Sequence, residues 1–147
     1  MTTIVFRDGV MASDSGAWVG GLVTPWSRKL IRGKSGVIYG GAGDGSRVSE
    51  FFRWVEAGEC VGEMVVPQVR DDGSDFIILV WRPDAGLFLL TAQGEEDLRG
   101  CPYCAIGGGA EVAYGALHYG ASAVIAVEAA IAHSTCAFGA VQYLADR

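Results

Sequence analysis

The chain has little of what several functional classes require. It holds two histidines, His118 and His133, and four cysteines, Cys60, Cys101, Cys104 and Cys136. Neither type shows paired zinc-ligand spacing, because no second Cys-x-x-Cys and no His-x(3–5)-His pair is present. Lysine and arginine number 11 against 17 acidic residues, and no run of them forms a basic patch. With a net charge of −6, a polyanion gains nothing by approaching, so nucleic acid and anionic membrane are poor partners. The N-terminus lacks a basic region followed by a long apolar stretch, so no signal peptide is expected. The most apolar stretch, residues 121–141, is broken by Glu128 and His133 and is rich in Ala rather than Leu. It predicts a buried helix and a strand, not a membrane span. No linker, low-complexity run or internal repeat divides the 147 residues. One domain, residues 1–147, with a cytoplasmic location and reduced cysteines is the expectation.

What is present is an ordered series of patterned segments. Half of the residues are hydrophobic and 19% are charged, a balance that supports a packed core. Residues 2–7 and 10–15 are β-prone runs around Asp8-Gly9, a strong hairpin signal. Residues 16–25 are rich in Gly and predict a loop. Residues 29–32 and 37–40 flank Gly33-Lys34-Ser35-Gly36 and predict a second hairpin. The period then changes. Val48, Phe51, Phe52 and Val55 recur at helical spacing, so residues 46–57 predict an amphipathic helix, with Asp44 or Ser46 as N-cap and Gly58 as stop. Residues 59–72 give no clear pattern. Residues 76–81 and 87–92 enclose Pro83-Asp84-Ala85-Gly86 and predict a third hairpin. A short strand at Ala105 and Ile106, helices over 111–119 and 122–133, and a closing strand within 137–144 complete the series. The order predicts an α+β fold of two stacked antiparallel sheets with helices outside.

The first two hairpins carry the chemistry. Thr2 follows an initiator Met whose removal leaves a hydroxyl and a free α-amine on one residue. Such a threonine is a recognised nucleophile–base pair. An unperturbed α-amine titrates at about 7.7–8.0, close to neutrality and suited to accept the hydroxyl proton. Lys29, if its strand lies beside the first one, would favour the neutral amine and the developing alkoxide. Asp14 would pair with the buried ammonium. Gly40 and Gly41, ending the fourth strand, offer backbone N–H groups for an oxyanion.

Thr-Thr-Ile-Val at 2–5, Ala-Ser-Asp at 12–14, Ser-Arg-Lys-Leu at 27–30 and Val-Ile-Tyr-Gly-Gly-Ala-Gly at 37–43 resemble successive blocks of the proteasome β-subunit family, including its HslV-like members. Ala105-Ile106-Gly107-Gly108-Gly109 before two helices is similar to a further block. The resemblance spans most of the chain in one order. It implies a four-layer αββα sandwich of the N-terminal-nucleophile hydrolases and a threonine-type endopeptidase needing no cofactor or metal. It also implies assembly into a ring or double ring, peptide or unfolded-protein substrates, and a possible AAA+ ATPase unfoldase as partner. By position it assigns Thr2 as nucleophile, its amine as base, Asp14 and Lys29 as the groups that tune them, and Gly40 as oxyanion donor. The chain departs from the family where Gly108 replaces a Ser that bonds the catalytic amine. It departs again at residues 133–136, where no Asp appears and Ser134 or Thr135 are the candidate substitutes. Those departures motivate an alternative, a ring subunit that keeps the fold without the chemistry.

Cys101-Pro102-Tyr103-Cys104 suggests a second alternative, a thiol–disulfide oxidoreductase, since Cys-Pro-Tyr-Cys is the glutaredoxin motif. Its place two-thirds along the chain, running into a glycine block, argues for two small apolar residues entering a strand. Gly107-Gly108-Gly109 lacks the Lys-Ser/Thr of a phosphate loop and predicts a tight strand-to-helix turn. The four tryptophans are expected in cores or subunit contacts, with Trp18 and Trp26 near a substrate cleft.

Overall fold

The computed structural model describes residues 2–59 and 62–146. Met1, Cys60, Val61 and Arg147 lie outside the described residues, and with them the expected loss of Met1 and part of the unassigned 59–72 segment. The fold is mixed α+β, with antiparallel sheets and three α-helices among the described residues.

The first hairpin is β1 (Thr3–Arg7) and β2 (Val10–Ser13), turning through Asp8 and Gly9, both with positive φ. Next comes a small hairpin, β3 (Ala17–Val19) and β4 (Leu22–Thr24), which turns at Gly20-Gly21. This corrects the loop expected over residues 16–25. Two glycines at φ 55° and 83° supply the left-handed turn that the flanking β-branched and aromatic residues need. Strands β5 (Leu30–Arg32) and β6 (Ile38–Gly43) follow, joined by a single 3-10 turn.

Helix α1 (Gly45–Glu56) starts at Asp44, whose carboxylate accepts from the N–H groups of Ser46 (3.0 Å) and Arg47 (3.4 Å). Asp44, not Ser46, is therefore the cap. Its stripe of Val48, Phe51, Phe52 and Val55 is buried as the spacing predicts. The segment after it contains β7 (Val69–Arg70) and β8 (Gly73–Ser74) and is pinned by polar contacts. Arg47 donates to Asp75 Oδ2 (3.1 Å) and to the carbonyl of Val66 (3.1 Å), while Asp75 Oδ1 accepts from Gln68 N–H (2.8 Å).

Strands β9 (Phe76–Arg82) and β10 (Gly86–Thr91) form the third hairpin, extended by β11 (Gly94–Asp97). The sequence reading missed β11, whose Glu95, Glu96 and Asp97 are exposed on a sheet edge and show no apolar alternation. Strand β12 (Tyr103–Gly107), helices α2 (Ala110–His118) and α3 (Ala123–His133), and strand β13 (Gln142–Ala145) close the chain. The last strand is shorter than the expected 137–144. Residues before it spend their backbone bonds elsewhere: Phe138 N–H donates to Asp14 Oδ2, and Ala140 accepts from the Ser15 hydroxyl.

The two larger sheets among the described residues have the orders β12-β1-β2-β13 and β11-β10-β9-β6-β5, beside the two-stranded β3-β4 and β7-β8. Three apolar clusters organise them. Ile4, Phe6, Met11 and Ile106 of the first sheet meet Ile38, Leu79 and Leu87 of the second. Ile78, Val80 and Phe76, on the other side of β9, pack with the α1 stripe. Val5, Ala12 and Ala105 pack with Ala113, Leu117, Ala126 and Val127 of α2 and α3. The period-two alternation of β1, with Ile4 and Phe6 in one cluster and Val5 in another, shows a strand covered on both faces. The same cover explains why 76–81 is an unbroken apolar run. No helix among the described residues is long and apolar enough to cross a membrane.

Candidate active site

Asp14 follows β2 and is fully buried, and its carboxylate gathers three donors from separate parts of the chain. Oδ1 accepts from the backbone N–H of Thr3 (2.9 Å) and from Lys29 Nζ (3.0 Å). Oδ2 accepts from Phe138 N–H (3.2 Å). The backbone N–H of Asp14 in turn donates to Thr3 O (3.3 Å). One carboxylate thus fixes the residue after Thr2, the ammonium of Lys29, and the segment leading to β13.

Lys29 precedes β5 and is 4% exposed. Its ammonium also donates to the carbonyl of Gly16 (2.5 Å). Burial pulls its pKa below the ordinary lysine value, and the Asp14 carboxylate opposes that fall. Thr2, at 7% exposure, lines a cleft of about 560 Å³ together with Lys29, Trp18, Gly41, Gly43 and the first turn of α1. It also lines a second cavity of about 490 Å³ with Gly43, Phe76, Ile77, Gly108 and Cys136. Thr2, Asp14 and Lys29, three of the four residues singled out from the sequence, are therefore brought together.

Gly40 is not. It is buried inside β6, where a Cβ would lie 2.8 Å from both Ile4 Cγ2 and Met11 Sδ, and it lines neither cavity. Strand alternation explains why. Gly41 N–H donates to Lys29 O (3.0 Å), toward β5, and Asp44 N–H donates to Asp75 O (2.8 Å), on the β9 side. Backbone N–H groups two residues apart point the same way. Gly40 N–H is therefore directed to β9, opposite the cleft. Gly43 N–H is directed like that of Gly41, but beyond Lys29, where the β5 pairing has ended. Gly43 is exposed, sits at φ 115° and lines both cavities beside Thr2. The oxyanion candidate that sequence reasoning missed is Gly43. Its signal was present, since it is the glycine at the junction of strand and helix cap.

The expected substitutes near the C-terminus also move. Ser134 closes α3, its hydroxyl accepting from Cys136 N–H (3.0 Å), and Thr135 is exposed. Neither lines a cavity beside Thr2, whereas Cys136 does. Trp18, 56% exposed, lines the first cleft and stands 5.7 Å from the Phe138 ring, while Trp26 lies outside both linings.

The Cys-x-x-Cys segment opens strand β12, not a helix. Cys104 is buried, and burial pushes its thiol pKa up. Thiolate activation by a helix N-terminus is thus lacking at this position.

No family model matches the chain, and no curated protein matches it. Solved structures do. Thiobacillus denitrificans BPH in complex with epoxomicin aligns with a TM-score of 0.64 at 19% identity, over 97% of this chain and 96% of that one. Thiobacillus denitrificans BPH on its own aligns with a TM-score of 0.64 at 21% identity, over 97% and 95%. At these identities the likeness establishes a shared fold over nearly the full length of both chains.

Proposed function

We propose that this protein is a threonine-type amide hydrolase, an endopeptidase whose nucleophile is Thr2 after removal of Met1. The observation that carries the reading is the convergence of Thr2 and Lys29 on one cleft, with Asp14 buried behind them and bonded to both Thr3 and Lys29. On this reading the two sheets and flanking helices form the four-layer αββα sandwich of the N-terminal-nucleophile hydrolases, as a single domain. The epoxomicin complex of the structural neighbour supports it.

The chemistry follows from the charges. The α-amine of Thr2, kept neutral by the adjacent cation, takes the proton of Thr2 Oγ1 as that oxygen attacks a substrate carbonyl. The oxyanion receives the N–H of Gly43. Collapse breaks the C–N bond, the leaving amine takes the proton, and water then hydrolyses the Thr2 ester. Lys29 stays protonated through its pairing with Asp14. A homo-oligomeric ring or double ring, unfolded-protein substrates, an ATPase unfoldase and a cytoplasmic setting extend the reading.

A second reading, the fold without the chemistry, draws on Gly108, which offers no hydroxyl to the Thr2 amine. One experiment separates the two. Intact mass should show loss of Met1, and epoxomicin or another electrophile directed at catalytic threonines should add a single mass equivalent that Thr2→Ala abolishes. A processed wild-type protein that takes up no label, or Thr2→Ala labelling equally well, overturns the enzyme reading.

A further inference from the structure

The linings of the two cavities share Thr2 and Gly43 and otherwise differ. These are the proposed nucleophile and oxyanion donor. The cavities therefore adjoin where the reacting carbonyl would sit, and one can take the acyl portion of a substrate while the other takes the departing amine portion. Resting on the Thr2 reading above, we propose that the second cavity holds the leaving-group segment and selects an uncharged, apolar residue directly after the scissile bond.

The assignment of sides comes from the walls. Along the first cleft run the consecutive residues Ala17, Trp18, Val19 and Gly20. Strand β3 pairs with β4 along one edge, and its other edge can pair with an extended acyl segment through main-chain hydrogen bonds. Lys29 and Gly43 flank that path. The second cavity is lined instead by short pieces, Ala42-Gly43 of β6 and Phe76-Ile77 of β9, two strands already paired with each other, and by Gly107-Gly108. It is a bowl of about 490 Å³, within the size range of small-ligand pockets.

Its chemistry is uniform. Ala42, Phe76, Ile77 and Cys136 supply apolar surface, Ser74, Thr91 and Gln93 supply neutral polar groups, and among the described residues no acidic, basic or histidine side chain lines it. A charged residue entering this space loses hydration and meets no countercharge, whereas an apolar one gains by burial. Gly108 and Cys136 together set the shape. A Cβ at position 108 would lie 2.6 Å from Cys136 Cβ and 2.8 Å from its Sγ, so one side chain fills space that two cannot share. Cys136, a small and weakly polar side chain, forms the wall. At Gly107 a Cβ would collide with the carbonyl of Thr2, so backbone alone borders the nucleophile on this side. In the step concerned the acyl C–N bond breaks, the acyl–Oγ1 bond of Thr2 forms, and the amine departs from the second cavity with the proton.

The test is Thr2-dependent cleavage of internally quenched peptides that share one acyl sequence and differ in the residue after the scissile bond. Phe and Leu should exceed Asp and Lys by about tenfold or more in kcat/KM, the scale expected for a charge placed in an uncharged cavity. Gln93→Glu should move the Lys-to-Asp preference ratio upward by about threefold and Gln93→Lys downward by a similar factor, as for a part-exposed charge pair. Cys136→Phe should lower the Phe-to-Ala ratio by narrowing the bowl, with thermal melts confirming that each variant is folded. Thr2-dependent cleavage that is indifferent to this residue, or ratios unmoved by all three folded variants, overturns the proposal while leaving the Thr2 reading intact. No Thr2-dependent cleavage of any peptide in the series overturns both.

Discussion

The ammonium of Lys29 stands 3.0 Å from Asp14 Oδ1, with the two side chains 5% and 0% exposed. Neither charge is tolerable there alone. Asp14→Asn leaves a buried cation without its carboxylate, and urea unfolding should show a loss of about 3–5 kcal/mol, the usual cost of breaking a buried pair from one side. Adding Lys29→Met should recover part of that stability and none of the Thr2-dependent turnover. Full recovery of turnover in the double variant would contradict the role given to the cation.

Three glycines near the cleft should respond differently to one methyl group. At Gly43 a Cβ would sit 2.7 Å from Asp75 O and from Phe76 Cα at φ 115°, so Gly43→Ala strains the backbone beside Thr2 and should reduce both stability and turnover. Gly40→Ala overpacks Ile4 and Met11, with an expected cost of about 1–3 kcal/mol and retained activity in the fraction that folds. Gly45, the first residue of α1, has open space around a Cβ, and Gly45→Ala should stabilise by up to about 1 kcal/mol. Melting temperatures and active-site titration of each variant check the order.

Cys101 and Cys104 should behave as unrelated thiols. Cys101 is exposed, while Cys104 is buried and raised in pKa, accepting a hydrogen bond from the Tyr114 hydroxyl at 3.5 Å. Mass spectrometry after brief iodoacetamide treatment at pH 8 should find Cys101 alkylated at least about tenfold faster, because the thiolate is the reacting form. Equal rates, or a ready Cys101–Cys104 disulfide, would revive the redox alternative.

Asp75 ties the 66–75 segment to α1. Burial alone would raise its pKa, but the N–H of Gln68 and the Arg47 guanidinium outweigh it and hold the carboxyl below the usual value. A carboxyl lowered by folding contributes stability that is complete above its unfolded-state pKa and fades as pH falls through the folded one. Asp75→Asn should therefore cost about 1–3 kcal/mol at neutral pH, as for hydrogen bonds to a charged group. Its stability curve should also fall less steeply on the acid side. Urea midpoints between pH 2.5 and 7 measure both.

The local elements were legible where a short signal dictates them. Asp8-Gly9 announced the first hairpin, the Val48–Phe51–Phe52–Val55 stripe announced α1, and Ser122 marked the start of α3, where its hydroxyl accepts from Ile125 N–H. The misses share a cause. Strand β11 is an acidic sheet edge that pairs through its backbone, and β3–β4 is a hairpin whose glycines imitate a loop. Residues 137–141 are β-prone, yet their backbone groups go to Asp14 and Ser15. That Gly43, and not Gly40, shares both cavities with Thr2 was not legible, because four glycines stand within 40–45 and spacing cannot tell which way a backbone N–H points.

By itself, the sequence determined the kinds of residue available for chemistry: a threonine hydroxyl at position 2, one lysine and one aspartate on adjoining hairpins, and glycines at a strand end. These follow from residue type and short-range pattern. Only the tertiary structure decided that Asp14 would bridge Thr3, Lys29 and Phe138, that Gly43 and not Gly40 would face Thr2, and that Cys136 would fill the space denied to position 108. Those outcomes depend on sheet register and on packing between segments more than 100 residues apart in the case of Asp14 and Phe138, which no local pattern encodes.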